Sequence, residues 1–248
     1  MEISMKDNLS DLVSHLVPLG NVNIVKIIGT KTETSFETIA EDKTVVIQGK
    51  FHTPIQSFIG TFGMPTLNKL NVILNIPEYA EDAVISVTKQ KRDEKDVVSG
   101  LHFENKTGDF CNDYRFMNEA MITEMYKNLK FNGAKWSVEL VPEVASIQKF
   151  KFQIQANSDE TVFVAKTVNN ALNFYFGDKS SHAGEFTFQK GVTGSLTSGW
   201  KWPIQPVMSI LGLTGDKEMK FSNDAGAALI TVDSGIATYN YILPAQSK

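Results

Sequence analysis

Hydrophobic positions along this chain follow two rhythms. Residues 6–17 set Leu9, Leu12, Val13 and Leu16 on one side of a 3.6-residue period, which predicts an amphipathic helix. The next three segments, 21–29, 34–40 and 44–51, alternate β-branched or aromatic residues with polar ones and read as strands. Residues 54–63, PIQSFIGTFG, return to the helical period through Ile55, Phe58, Ile59 and Phe62. Thr53 is placed to cap this helix, Pro54 to open it and Gly63 to stop it. Strands are then expected over 70–76, 83–90, 98–104 and 109–116, the last two separated by turn residues Asn105 to Gly108.

The second half repeats the order. Residues 143–154 offer Val144, Ile147, Phe150 and Ile154 on a helical face, although KFKFQIQ within them also alternates like a strand. Strands follow over 161–168, 171–177 and 185–191. Residues 203–212, PIQPVMSILG, match PIQSFIGTFG, with Ile204, Val207, Met208 and Leu211 in the apolar places. Three more strands, 218–224, 227–233 and 236–243, complete the half. Each half therefore reads as helix, strands, helix, strands. That is an α+β chain of two similar domains with mostly antiparallel sheets, expected over residues 1–117 and 135–248. The connector is 118–134, with a turn signal at Asn132-Gly133.

Composition narrows the class. At 42% hydrophobic and 21% charged residues, the chain is globular rather than disordered. No run approaches the roughly 18 apolar residues of a membrane span. The start, MEISMKDNLSDLV, lacks the basic-then-apolar order of a signal peptide, so a cytoplasmic protein is expected and the Asn105-Lys106-Thr107 sequon reads as chance. Cys111 is the single cysteine, which rules out a disulfide scaffold. A net charge of −4 does not suggest a nucleic-acid binder unless cations are concentrated locally.

Catalytic constellations do not emerge. The phosphate-binding loop, nucleophile elbow and zinc-protease signatures are all missing. GVTGSLTSG (191–199) is glycine-rich but has no lysine for a phosphate and reads as a flexible loop. His15, His52, His102 and His182 show no ligand spacing, and Cys111 falls in a strand. The acidic pairs Glu41-Asp42, Glu81-Asp82, Asp93-Glu94 and Asp159-Glu160 sit in turn-like stretches, and KQKRDEKD (89–96) reads as a hairpin tip. No enzyme, cofactor or metal site is expected. A duplicated scaffold without catalytic parts points to shape as the function.

The C-terminus, DAGAALITVDSGIATYNYILPAQ (224–246), adds a specific signal. Asp224-Ala225-Gly226, the Val232-to-Gly235 turn, the Ala237/Tyr239/Tyr241 alternation and Ile242-Leu243-Pro244 resemble the ending of DNA polymerase sliding clamps, above all those of T-even-type bacteriophages. The two-domain repeat agrees with that family over nearly the whole chain.

The resemblance implies a DNA-clamp fold, with two helices and two sheets per domain. It implies a homotrimeric ring closed head to tail around duplex DNA, helices inside. The edge strands near 109–117 and 185–190 would pair between subunits. Such a clamp would be loaded by an ATP-dependent clamp loader and would tether the replicative DNA polymerase. Lys6, Lys149, Lys151 and Lys201 are the candidate DNA-facing cations. Met121, Met125, Tyr126, Leu129 and Phe131 of the connector, with Ile242, Leu243 and Pro244 of the tail, are the candidate pocket for partner peptides. The competing reading is a non-catalytic β-rich ligand- or carbohydrate-binding or virion protein, with Trp200 and Trp202 as a sugar platform.

Overall fold

The computed structural model describes residues 3–246 apart from 81, 93, 128–130, 132 and 181. Leu129, Glu81, Asp93 and Asn132, singled out above, therefore lie outside the described residues. The chain divides into two compact units. The first is Met1–Lys130 with Asp233–Tyr239, and the second is Phe131–Val232 with Asn240–Lys248.

In the first unit, helix α1 (Met5–Leu16) and helix α2 (Leu67–Leu74) pack against each other. Leu9, Leu12, Val13 and Leu16 of α1 and Leu67, Leu70, Ile73 and Leu74 of α2 are all buried. One sheet contains β1 (Ile24–Gly29), β2 (Thr34–Ile39), β3 (Val46–Phe51) and β4 (Gly60–Pro65) in the order β4-β1-β2-β3. The second contains β5 (Val84–Arg92), β6 (Lys95–Glu104) and β7 (Cys111–Arg115) in chain order. Ladders such as Ile27 opposite Phe36 and Leu101 opposite Tyr114 are antiparallel. A short helix, α3 (Glu119–Met125), opens the connector.

The second unit has α4 (Val144–Ala156) and α5 (Ile204–Leu211). Its first sheet joins β9 (Val162–Val168), β10 (Ala171–Gly177), β11 (Ala183–Lys190) and β12 (Lys201–Pro203) in the order β11-β10-β9-β12. The strands β8 (Val138–Leu140), β13 (Asp216–Ser222), β14 (Ala227–Asp233) and β15 (Ala237–Pro244) run β15-β14-β13-β8 within the eight-stranded sheet that also holds β4-β1-β2-β3. The core is aromatic: Phe150 of α4 lies 5.1 Å from Phe163, 5.4 Å from Phe174 and 6.1 Å from Phe176, ring centre to ring centre.

Two expected elements exchange identity. Residues 54–63 are not a helix: 54–59 form a turn, with Phe58 N–H donating to Ile55 O at 2.9 Å, and β4 begins at Gly60. Two glycines in ten residues disfavour a helix by about 1 kcal/mol each, and Gly60 has φ +102. Gly29 makes room for the turn, since a Cβ there would stand 1.7 Å from the Phe58 carbonyl oxygen. Ile55, Phe58 and Phe62 are still buried, so the apolar stripe was real while its period was misleading.

The helix is instead 67–74, over most of the run expected as a strand at 70–76. The better internal match aligns helix α2 with α5 and sets Thr66, which follows β4, at the place of Pro203, which ends β12. Leu67, Leu70, Ile73 and Leu74 then correspond to Ile204, Val207, Ile210 and Leu211.

Residues 191–199 also differ from a flexible loop. Leu196 is wholly buried. The Asn223 amide oxygen accepts from the Thr197 and Ser198 N–H groups at 3.0 and 2.9 Å, imitating a strand partner.

Candidate nucleic-acid interface and partner surfaces

Helix α1 has a capped, internally satisfied start. Ser4 Oγ accepts from Asp7 N at 3.1 Å while Asp7 Oδ2 accepts from Ser4 N at 2.9 Å. The Ser4 hydroxyl and N–H hold the Asp7 carboxyl below its ordinary value. Asp11 turns inward. Its Oδ2 accepts from Tyr239 Oη at 2.6 Å and Ser234 Oγ at 3.0 Å, and its backbone oxygen lies 2.8 Å from His15 Nδ1. His15 stacks on Tyr239 at 4.4 Å. Both acids of this helix are thus engaged, Asp7 by its own first turn and Asp11 by Tyr239 and Ser234. Lys6 is engaged as well: its ammonium donates to the Tyr79 carbonyl and, at 3.2 Å, to the Ala80 carbonyl. These carbonyls end the short 3₁₀ turn Pro77–Tyr79, where a cation is favoured.

The corrected position of α2 adds a cation that the sequence pattern did not reveal. Lys69 is exposed on α2 beside Asn68 and Val72. The signal that would have found it is the Leu67/Leu70/Ile73/Leu74 stripe, which leaves Lys69 on the opposite side. On α4, Lys149 and Lys151 are both exposed. At 100° per residue they flank an outward face of Val144, Gln148, Phe152 and Gln155 rather than forming one row. Helix α5 carries no ionisable side chain, and exposed Lys201 stands just before it in β12.

In the connector, Met121 and Met125 are exposed one helical turn apart on α3. Ile122 between them is buried, and a Cβ on Gly63 would come within 3.1 Å of it, so α3 is seated on β4. Tyr126 is buried, donating its hydroxyl to the Ile24 carbonyl at 3.1 Å, and burial raises its phenol pKa. Phe131 lies 6.3 Å from Trp136. In the tail, Ile242 and Leu243 are core residues and only Pro244 is exposed. Beyond it, Ala245 N–H donates to Gly226 O and Gln246 N–H to Lys201 O, at 2.8 and 2.9 Å.

Trp202 is completely buried, and Trp200 donates its indole N–H to Asn223 O at 2.7 Å with its ring against Gly226. This pair does not form an exposed sugar platform. Among the described residues no cluster of three metal-ligating side chains occurs, and no helix is long and apolar enough to cross a membrane.

No family model matches the chain, and no curated protein matches it. Solved structures do. The A. fulgidus PCNA with the C-terminal region of FEN-1 bound superposes with a TM-score of 0.67, covering 98% of this chain and 96% of that one at 10% identity. The PCNA of Thermococcus kodakaraensis gives 0.64 at 10% identity, covering 98% of both chains. The chain has the α+β clamp fold, its described strands forming an eight-stranded, a four-stranded and a three-stranded sheet.

Proposed function

We propose that the protein is a sliding clamp, a non-catalytic homotrimeric ring that encircles duplex DNA and tethers a replicative DNA polymerase. The observation that carries this reading is the clamp fold itself, matched over 98% of the chain. The C-terminal segment Asp224 to Pro244 supports the T-even bacteriophage type, acting in the host cytoplasm with an ATP-dependent loader. Phosphate contacts are independent of sequence and weaken with salt, so a ring can slide while topology retains it. Lys149, Lys151 and Lys201 are the proposed DNA-facing cations, joined by Lys69; Lys6 keeps its proposed place while bonded to carbonyls. For partner peptides, exposed Met121 and Met125 of the connector and Pro244 of the tail are the proposed contact anchors. Tyr126 and Phe131 serve as support for the connector, Ile242 and Leu243 as support for the tail, and Leu129 keeps its proposed place. A partner's terminal peptide is the ligand class, as in the FEN-1 complex of the A. fulgidus PCNA.

The test is solution mass by light scattering combined with retention on circular DNA. A mass near three subunits, with loader-dependent retention lost when circles are linearised, is the expected result. A monomer at all concentrations that ignores DNA topology overturns the reading.

A further inference from the structure

Phe150 and Phe152 stand two residues apart on α4 and meet opposite fates. Phe150 is wholly buried among phenylalanine rings, including those of Phe163 and Phe174. Phe152 is 58% exposed, and among the described residues no aromatic ring lies against it. The other exposed phenylalanine of the described residues, Phe110, is covered in part by Tyr79 at 5.5 Å. A single exposed apolar side chain needs no explanation in itself. The surroundings of Phe152 supply one.

Round the helix, Lys149 lies about 60° to one side of Phe152 and Lys151 about 100° to the other. Both lysines are exposed, and neither forms an ion pair among the described residues. Exposed Gln148 and Gln155 share the side of Lys151. No residue of α4 from Val144 to Ala156 is acidic. Of the carboxylates that bracket the helix, Glu143 accepts from Gln189 Nε2 at 3.1 Å, and Asp159 lies beyond the C-cap Asn157. The exposed ring is thus framed by two unpaired cations and by no acid of its own helix.

An apolar protein partner covering Phe152 would have to take two ammonium groups out of water without a counter-charge, which is costly. A nucleic acid brings an anion with every nucleotide. In a duplex the bases stack on one another, so an outward ring meets sugars and phosphates only. In a single strand the base faces are open, and cations around an aromatic ring form the platform on which such strands stack.

We propose that α4 is a binding site for single-stranded DNA, in which the Phe152 ring stacks on one unpaired base while Lys149 and Lys151 hold the phosphates on either side. This goes beyond the ring reading, which uses the lysines for duplex phosphates, and does not require that a ring close.

Fluorescence anisotropy of labelled oligo(dT), and of a labelled duplex of the same length, tests it on the full chain across a salt series. Phe152→Ala is expected to weaken oligo(dT) binding by about five-fold or more, the loss of one stacked base. Its salt slope and its duplex affinity should match wild type. Phe152→Trp should restore the affinity, and its added emission should be quenched by oligo(dT). Lys149→Ala and Lys151→Ala should each lower the oligo(dT) salt slope by about 0.7. Circular dichroism and the urea midpoint check that Phe152→Ala is folded. Oligo(dT) affinity indifferent to Phe152→Ala, equal losses on oligo(dT) and duplex, or a wild type that does not bind oligo(dT) at low salt would each overturn the stacking site. All three leave the ring to light scattering and circle retention. Binding that depends on Phe152 in a chain that stays monomeric keeps the site and overturns the ring.

Discussion

Helices α1 and α4 occupy corresponding places in the two units and are held by different means. Helix α1 buries a stripe of four aliphatic residues, closes its first turn with the Ser4–Asp7 box and ties its middle to Tyr239 and Ser234 through Asp11. Helix α4 has no side-chain cap and buries only Ser146 and Phe150. Phe150 enters the phenylalanine cluster and Ser146 donates to the Phe188 carbonyl of β11, so α4 is held more by that strand than by its sister helix α5. Val144 and Phe152 are left 85% and 58% exposed. The same plan thus tolerates a helix with a broad apolar stripe and one hung from a single aromatic anchor.

The contrast can be broken most directly at Phe150. Phe150→Ala should cost about 3–5 kcal/mol, read as a fall in the urea midpoint. The aliphatic stripe divides its burial among four residues, so Leu12→Ala is expected toward the lower end of about 2–5 kcal/mol. A smaller loss at Phe150 than at Leu12 would show that α4 is held elsewhere. At Asp11, Asp11→Ala removes the carboxylate that accepts from the Tyr239 and Ser234 hydroxyls and should cost about 1–3 kcal/mol. Pairing it with Tyr239→Phe in a double-mutant cycle isolates the coupling.

The capping box gives a smaller effect that depends on pH. Ser4→Ala should cost about 1 kcal/mol at neutral pH. Because the folded Asp7 carboxyl titrates below its ordinary value, its contribution is present above the ordinary carboxylate range and lost as pH falls through the folded value. Wild type and Ser4→Ala should therefore converge in stability on acidification; a gap that widens would contradict the assignment. Least of all, Val144→Gln and Phe152→Gln should each stay within about 0.5 kcal/mol of wild type, since these side chains face solvent.

Much of the α+β plan was legible because alternation and helical spacing are separate periods. Strands β1, β2, β3, β9 and β10 and helices α1 and α5 lie where the pattern puts them. The errors came where one stretch satisfied two readings. Ile55, Phe58 and Phe62 have helical spacing yet are buried by a turn and a strand, and LNVILNI is too continuously apolar for period alone to distinguish strand from helix. The Pro-Ile-Gln coincidence then aligned the halves one element out of step, which hid Lys69. Local pattern also could not show which charges are engaged. Lys6 bonds to carbonyls at Tyr79 and Ala80, and Asp11 bonds to a hairpin far along the chain, both set by tertiary packing. Tail residues Ile242 and Leu243 lie within the strand expected at 236–243, but alternation along one strand does not show that both of its faces are buried there.

The placement of Asp233–Tyr239 has a practical consequence for dissecting the molecule. Those seven residues follow the second unit's strands in the chain but complete the first unit, where Tyr239 covers His15 and Phe36. A stop codon in the connector would leave the first unit without its lid, and a fragment starting there would carry an orphaned hairpin tip. Independent halves for binding studies would have to be made by circular permutation or by grafting the tip, because the folding units are not contiguous stretches of coding sequence.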